Sequence, residues 1–251
     1  MEKLNDFFVS ENKVSAISEE DYENVAIVIN TAKAFARMSY QSVYIIDFFK
    51  KNFLYVSENP LFLCGLNPES VKQMGYSFYY NHVPNDEISL LLEINRAGFA
   101  FFHKTPLNER INLFISYDFH IKNKDYKALI NHKLSPIILD RNGNIWLAAC
   151  VVSLSPNKKE GNIEVHKNGQ LDYWAYSLQS RQWEKQKPSL LSSREKEVVS
   201  YSVQGFSEKT VAEKIYLKNE TIKYHKQNLF RKLGVKSLVA AMSIITNKKM
   251  I

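Results

Sequence analysis

The chain has 251 residues, enough for two domains with separate cores, and 45% hydrophobic and 13% aromatic content marks a folded globular protein, not a disordered one. Its net charge of +7 is uneven: from Ser189 onward there are 12 Lys and Arg against 5 Glu and no Asp, and the rest of the chain holds 21 residues of each sign. No run approaches the roughly 18 apolar residues of a membrane span, Met1–Asp6 lacks the features of a signal peptide, and Cys64 and Cys150 have no partner spacing. The expectation is therefore a cytoplasmic protein with two buried, reduced thiols, no membrane association and no disulfide or metal framework.

Residues 1–17 are polar and unpatterned and read as a loose arm. Glu19 to Tyr40 reads as one helix, with Val25, Ile29, Ala32, Phe35 and Ala36 on a single face. Such a helix either caps the edge of a following sheet or makes a dimer contact. Ser42–Asp47 and Phe53–Val56 are rich in β-branched and aromatic residues, with a polar turn at Lys50–Asn52 between them. Short helices are expected around Pro60–Cys64 and Pro68–Met74, and a longer one after Asn85-Asp86 carrying Ile88, Leu91, Leu92 and Ile94. Strand runs follow at Ile111–Lys122, Tyr126–Asp140 and Asn144–Leu154, the last two joined by the hairpin signal Asn142-Gly143. Two strands, a helical middle and a three-strand meander predict an α+β domain on a five-stranded antiparallel sheet.

That order, with Val43–Asp47, Tyr55–Pro60, Gly75–Tyr80, Val83–Asp86 and the turns Lys122–Asp125 and Leu139–Gly143, resembles a PAS domain over residues 42–156. The resemblance implies a module that senses a small molecule, light or redox state, or that mediates dimerisation. The segment Phe62-Leu63-Cys64-Gly65 does not match the cysteine motif of a light-sensing flavin site, and none of the six histidines sits in a haem-ligand context, so no cofactor is expected. A further hairpin, Ile163–His166 and Leu171–Tyr176 around Asn168-Gly169, lies beyond that likeness. Arg181–Pro188 is charged, ends in Pro and reads as the interdomain linker.

The last quarter reads as four short helices. Ser192 and Glu195 form a capping box at the start of the first, and Gln204-Gly205 ends it. Ser207 caps the second, whose inner side is Val211, Ala212 and Ile215. Tyr216–Asn219 is a tight connection into the third, about Asn219–Leu233, which stops at Gly234. On that third helix Ile222, Leu229, Phe230 and Leu233 form an apolar side, and Lys223, Tyr224, Gln227, Asn228 and Arg231 form a basic, amide-rich one. Ser237 caps a fourth helix containing Leu238, Val239, Ala241, Met242 and Ile245. A tight turn between the second and third helices is a helix-turn-helix arrangement.

Leu191–Val199, Gln204–Lys209, Val211–Ile215, Thr221–His225 and Asn228–Val235 together resemble the LuxR-type helix-turn-helix domain, almost without gaps. The resemblance implies that the third helix is the recognition helix in double-stranded DNA. The residues expected to meet DNA are Ser207, Lys209, Thr221, Lys223, Tyr224, Gln227, Asn228, Arg231 and Lys232. Lys223, Tyr224 and Gln227 take the base-facing positions, and Lys232 acts through phosphate. The fourth helix is expected to supply the contact of a homodimer through Leu238, Met242 and Ile245. Two departures from the family pattern stand out: Lys218 replaces the usual Ser or Thr cap, so Asn219 is expected to cap instead, and Ser202 replaces an aliphatic residue.

His120, His132, His166, Asp118 and Asp172 show no nucleophile, metal or phosphate motif spacing, so no catalytic residue is expected. The sequence thus predicts an arm and helix at 1–41, a PAS-like sensory domain at 42–156, a hairpin and linker at 157–188, and a DNA-binding domain at 189–251. The expected function is a DNA-binding transcriptional regulator, regulated by an unidentified small molecule in the PAS-like domain or dimerised through it. A rival is a protein-interaction module with weak or no specific DNA binding.

Overall fold

The computed structural model describes residues 7–8, 12–39, 41–247 and 250, and the chain divides into two compact units, Met1–Gln186 and Lys187–Ile251. Among the described residues no helix is long and apolar enough to cross a membrane.

The first unit is α+β. Its helices are α1 (Glu19–Glu23), α2 (Val25–Ser39), α3 (Pro60–Leu63), α4 (Pro68–Met74), α5 (Ser77–His82) and α6 (Asn85–Lys104). Its strands are β1 (Ser42–Asp47), β2 (Asn52–Val56), β3 (Leu113–Lys122), β4 (Lys127–Leu139), β5 (Ile145–Leu154), β6 (Gly161–Lys167), β7 (Tyr173–Ser177) and β8 (Gln182–Gln186). They form one antiparallel sheet in the order β2-β1-β5-β4-β3-β6-β7-β8. The sheet therefore has eight strands, not the expected five: the five form its first part and β6–β8 extend it past β3. β8 falls within the segment expected to be linker. Its sequence hides it, because an edge strand with water on its open side alternates weakly and carries charge. Trp183 is the one large anchor of β8, with its ring 5.1 Å from Phe101 of α6 and 5.0 Å from Tyr176.

The two faces of the sheet are covered differently. On one, α2 lays Val25 near Trp146 and Leu147, and Ala32 against Val43 and Ile45. On the other, α3–α6 enclose the main core, in which Tyr44, Phe62, Phe78, Ile94, Phe119 and Ile130 are fully buried. Covered on both sides, β1 is buried at every position and so reads as a continuous apolar run with no alternation. The expected helix Glu19–Tyr40 is broken at Asn24; Tyr40 lies outside the described residues. Ser18 caps α1 in a capping box with Asp21, and Asn24 closes that turn before α2 begins. A 3-10 helix, Leu107–Asn112, takes the residues expected to start β3. Cys64 and Cys150 are buried and unpaired, and burial pushes the Cys64 thiol up to about 11 and that of Cys150 higher still.

The described part of the N-terminal arm is docked, not loose. Phe7 is buried against Tyr76 and Tyr79, with ring centroids 5.6 and 5.5 Å away. Asn12 works as a one-residue strand: its Nδ2 donates to the Ile145 carbonyl at 3.1 Å, and its Oδ1 accepts from the Ile145 N–H at 2.8 Å. Ser15 donates its N–H and hydroxyl to Asp140 at 2.8 and 3.1 Å. Polar side chains that replace sheet hydrogen bonds leave no hydrophobic pattern, which is why the sequence read as unstructured here.

Between α6 and the sheet the packing leaves a cleft walled by Phe99, Phe102, Phe114, Ile115, Leu134 and Val165. Gly98 sets the width of this gap, because a Cβ there would stand 2.9 Å from Ile115 Cδ1.

The second unit is all-α: α7 (Ser193–Val203), α8 (Glu208–Lys214), α9 (Asn219–Leu233) and α10 (Leu238–Asn247). It has two small cores. Val198, Val211, Ala212, Ile215 and Ile222 make one; Leu191, Val199, Leu229, Ala241 and Ile245 make the other. α9 belongs to both, giving Ile222 to the first and Leu229 to the second.

Asn12→Ala should lower the stability of the first unit by about 2 kcal/mol, since it strands a buried N–H and a buried carbonyl on Ile145. Urea unfolding followed by near-UV circular dichroism checks it; an effect below about 0.5 kcal/mol would mean that the arm is not part of the fold.

Candidate nucleic-acid interface

The polar face of α9 is set by what its other side buries. With Ile222 and Leu229 fully buried, the geometry of 3.6 residues per turn leaves Lys223, Tyr224, Gln227 and Arg231 within about a hundred degrees of one another on the far side, all exposed. Lys223, Gln227 and Arg231 form a single row at four-residue spacing, and Tyr224, 60% exposed, stands beside it. This row is the part of the expected site that the fold brings together. Its width and exposure suit the major groove, which admits one helix.

The start of α9 corrects one expectation. Lys218 is the N-cap residue, extended and without a side-chain hydrogen bond to the helix; Asn219 does not cap, and its Oδ1 is buried without a hydrogen-bond partner. No side chain caps the first turn of α9, where the Thr221 N–H donates to the Lys218 carbonyl at 3.0 Å. Two other features fix the approach angle of the helix. Lys226 Nζ lies 3.1 Å from Glu208 Oε1, tying α9 to α8. The turn between those helices passes through Tyr216 at φ 54°, a left-handed conformation that few non-glycine residues adopt, and there the Leu217 N–H donates to the Ala212 carbonyl at 2.9 Å. Tyr216 is 94% exposed at this turn, and no sequence signal separated it from an ordinary connector.

The other expected contacts divide. Lys209 is exposed. Ser207 is exposed too, but its hydroxyl is engaged as the α8 cap, accepting from the Thr210 N–H at 3.2 Å. Thr221 and Asn228 are half-buried, and Arg231 donates to the Asn228 amide oxygen. Lys232 is exposed, and its ammonium donates to Glu195 Oε2 at 2.7 Å and to the Leu190 carbonyl at 2.9 Å. The reason is the capping box at the head of α7, which forms as expected. The Ser192 hydroxyl accepts from the Glu195 N–H and Glu195 Oε2 accepts from the Ser192 N–H, which leaves a carboxylate at the domain interior for Lys232 to neutralise. Burial works against the Glu195 charge, but the hydrogen bonds from Lys232 and Ser192 outweigh it and hold its carboxyl below the ordinary range. On α10, Ile245 is only 2% exposed and lies inside the second core, so it is not free for a partner; Leu238 and Met242 are half-buried, and Val239 is 81% exposed.

The five side chains with acid–base chemistry in the first unit are each held separately. Asp118 accepts from the amides of Asn131, Asn157 and Asn162. His120 Nδ1 lies 2.7 Å from Glu87, which also accepts from the His120 N–H. His132 is bonded to Tyr44, His166 is stacked between Phe114 and Tyr173, and Asp172 pairs with Lys185. Among the described residues, Glu87, His120 and Glu160 have ligand atoms within 4.8 Å of one another, but both Glu87 oxygens are already engaged by His120.

Residues 189–245 match the family described as bacterial regulatory proteins, luxR family, and the C-terminal unit carries that helix-turn-helix domain. The Fimbriae Z protein of Escherichia coli (strain K12) is 43% identical over 51 residues, which are 20% of this chain and 24% of that one. Its counterpart in Salmonella typhimurium is 49% identical over 49 residues, 20% and 23% of the two chains. The nitrate/nitrite response regulator protein NarP of E. coli (strain K12) is 38% identical over 61 residues, 24% and 28% of the two. The chain thus spans about a quarter of the length of these relatives. Of solved structures, the phage VqmA-DPO complex aligns over 92% of both chains with 12% identity and a TM-score of 0.34. The Vibrio cholerae VqmA dimer aligns over 86% of both with 12% identity and a TM-score of 0.33.

The Glu195–Lys232 pair gives a pH-dependent prediction. Because the native carboxyl of Glu195 is depressed, its contribution is fully present above the unfolded value of about 4.3 and fades as pH falls through the native one. Lys232→Met should therefore destabilise the C-terminal unit at neutral pH and differ little from wild type in strong acid. Thermal unfolding of the two proteins across pH 2–7 reads this; a constant difference over the whole range would show that the pair contributes nothing electrostatic.

Proposed function

We propose that this protein is a DNA-binding transcriptional regulator that sets α9 into the major groove, and that the PAS-like first unit regulates it through a small molecule or through dimerisation. The observation that carries the reading is the exposed row Lys223–Gln227–Arg231, with Tyr224 beside it, on a helix anchored from behind in both small cores. The charge partition supports it independently, because the whole net charge of the chain resides from Ser189 onward, as in a phosphate-binding module joined to a neutral partner. Lys223 and Gln227 read base edges, with Lys suited to guanine O6 and N7 and Gln to adenine N6 and N7. Arg231, Lys209, Thr221 and the uncapped start of α9 hold phosphates, which fix register without carrying sequence. Ser207 and Asn228 border the same surface. Two copies on paired half-sites would supply the affinity that one short helix lacks. Val239, with the open side of Leu238, is available on α10 for that pairing, whereas Ile245 and the inner side of Met242 serve the interior. The cleft between α6 and the sheet offers the first unit a place for a small molecule.

Gln227→Ala should flatten preference at one or two base positions per half-site by about 1–3 kcal/mol. Lys209→Ala should weaken all sequences alike and reduce the salt slope by about 0.9. Binding series over single-base variants of a site selected from random DNA, at several salt concentrations, separate the two. Sequence-blind binding by the wild type would instead support an interaction module. Val239→Glu should leave the fold intact and lower affinity for paired half-sites while single half-site binding stays unchanged; equal loss on both would remove α10 from the pairing.

A further inference from the structure

Where β3 runs past the end of β6, a helix side chain takes the place of a strand. β6 pairs with β3 only as far as Asp118 and Gly161, and beyond that point the His120 N–H donates to Glu87 Oε2 at 2.7 Å. Glu87 sits in the first turn of α6 and is 5% exposed, so its charge lies largely out of water. Its other oxygen, Oε1, is 2.7 Å from His120 Nδ1 and 3.5 Å from Lys127 Nζ. Lys127 is half in solvent, and at that distance it compensates a buried charge weakly. The exposed Glu160 completes the group: one ligand atom from each of Glu87, His120 and Glu160 falls within 4.8 Å of the other two.

The loop that carries Glu160, between β5 and β6, is pinned on both sides of it. Asn157 Nδ2 and Asn162 Nδ2 donate to Asp118 Oδ2 at 2.6 and 2.9 Å. Asp118 stands two residues before His120 on β3, so the strand that presents the imidazole also anchors the loop that presents the second carboxylate. The three ligand residues come from α6, β3 and this loop, which is why they form no spaced motif in the sequence.

One imidazole and two carboxylates suit a borderline divalent ion, because imidazole favours zinc and its neighbours whereas calcium and magnesium select all-oxygen sites. Zinc bonds of about 2.0–2.2 Å put tetrahedral ligand atoms about 3.4 Å apart. The Nδ1–Oε1 pair opens slightly to reach that spacing, and the free side chain of Glu160 closes in by about an ångström. The ion takes the place of the Nδ1 proton, which passes to solvent, and displaces the Lys127 ammonium. Glu87 Oε2 keeps the His120 N–H, a hydrogen bond of the kind that orients a ligating carboxylate.

We propose that Glu87, His120 and Glu160 form a zinc site with water as the fourth ligand, and that the ion clamps the start of α6 to the β5–β6 loop. The site stands whether or not the first unit senses a small molecule.

Full-length protein stripped with a chelator and titrated with zinc against a chromogenic competitor should bind one ion tightly per chain, and excess magnesium or calcium should not displace it. Glu160→Gln changes an exposed side chain and leaves the fold alone; it should weaken zinc binding by about tenfold or more, since even an outer-shell partner is worth that much. Lys127→Ala removes the competing ammonium and should tighten it. Trypsin reads the clamp itself, because Lys158 and Lys159 are both exposed on the loop. With zinc at about ten times its dissociation constant, cleavage there should slow about tenfold in the wild type and stay unchanged in Glu160→Gln. The imidazole resonances of His120 should shift with the first equivalent of zinc. Absence of zinc binding in the micromolar range, equal affinity in wild type and Glu160→Gln, or loop cleavage indifferent to zinc would overturn the proposal and leave Glu87 as a plain cap on the open edge of β3.

Discussion

One carboxylate brought inside the small C-terminal unit constrains most of what surrounds it. Glu195 sits at the third position of α7, where it accepts the Ser192 N–H and so fixes where that helix begins. A charge so placed must be met, and a buried carboxylate left alone would cost several kcal/mol. Among the described residues the cation that meets it is Lys232, two turns from the N-terminal half of α9, and the same ammonium also donates to the Leu190 carbonyl. The pair thereby sets the rotation of α9 about its own axis, and with it which residues look outward. The exposed row Lys223–Gln227–Arg231 depends on an ion pair on another side of the helix.

Three attachments hold α9, and they differ in kind. Ile222 and Leu229 fill separate cores, Lys226 ties it to α8, and Lys232 ties it to the head of α7. Apolar packing alone tolerates some rotation, since it has no direction. The two charged ties are directional, one at the middle of the helix and one at its C-terminal end. Together they hold the exposed face of the helix in one orientation, in a domain whose cores are each only a handful of side chains.

Much of this was legible in the sequence where local chemistry acts alone. The capping box of Ser192 and Glu195, the glycine stops at 205 and 234, and the apolar stripe of α9 are local patterns, and they appear as expected. The pairing of Lys232 with Glu195 was not legible, because nothing in the sequence marks a lysine that meets a carboxylate 37 residues away. The burial of Ile245 in its own core was not legible either, because an apolar residue on this helix looks the same in sequence whether it faces outward or inward. In the first unit, the apolar runs of β1, β3, β4 and β5 were plain, whereas β8 and the arm were not. β8 pairs with β7 but has Trp183 as its one large apolar side chain, and the arm adds to Phe7 the side chains of Asn12 and Ser15 standing in for a strand. Polar mimicry of that kind has no period to detect.

Both cysteines of the chain lie in the first unit, in its main core, and the C-terminal unit has none. With its thiol fully enclosed and unready to ionise, Cys150 reacts with a thiol reagent only in molecules whose sheet has opened. Labelling at that sulfur is thus a clock for the opening of one unit and stays silent to the other. A bound molecule that fills the interior would slow that clock in proportion to its occupancy, whatever happens at the DNA.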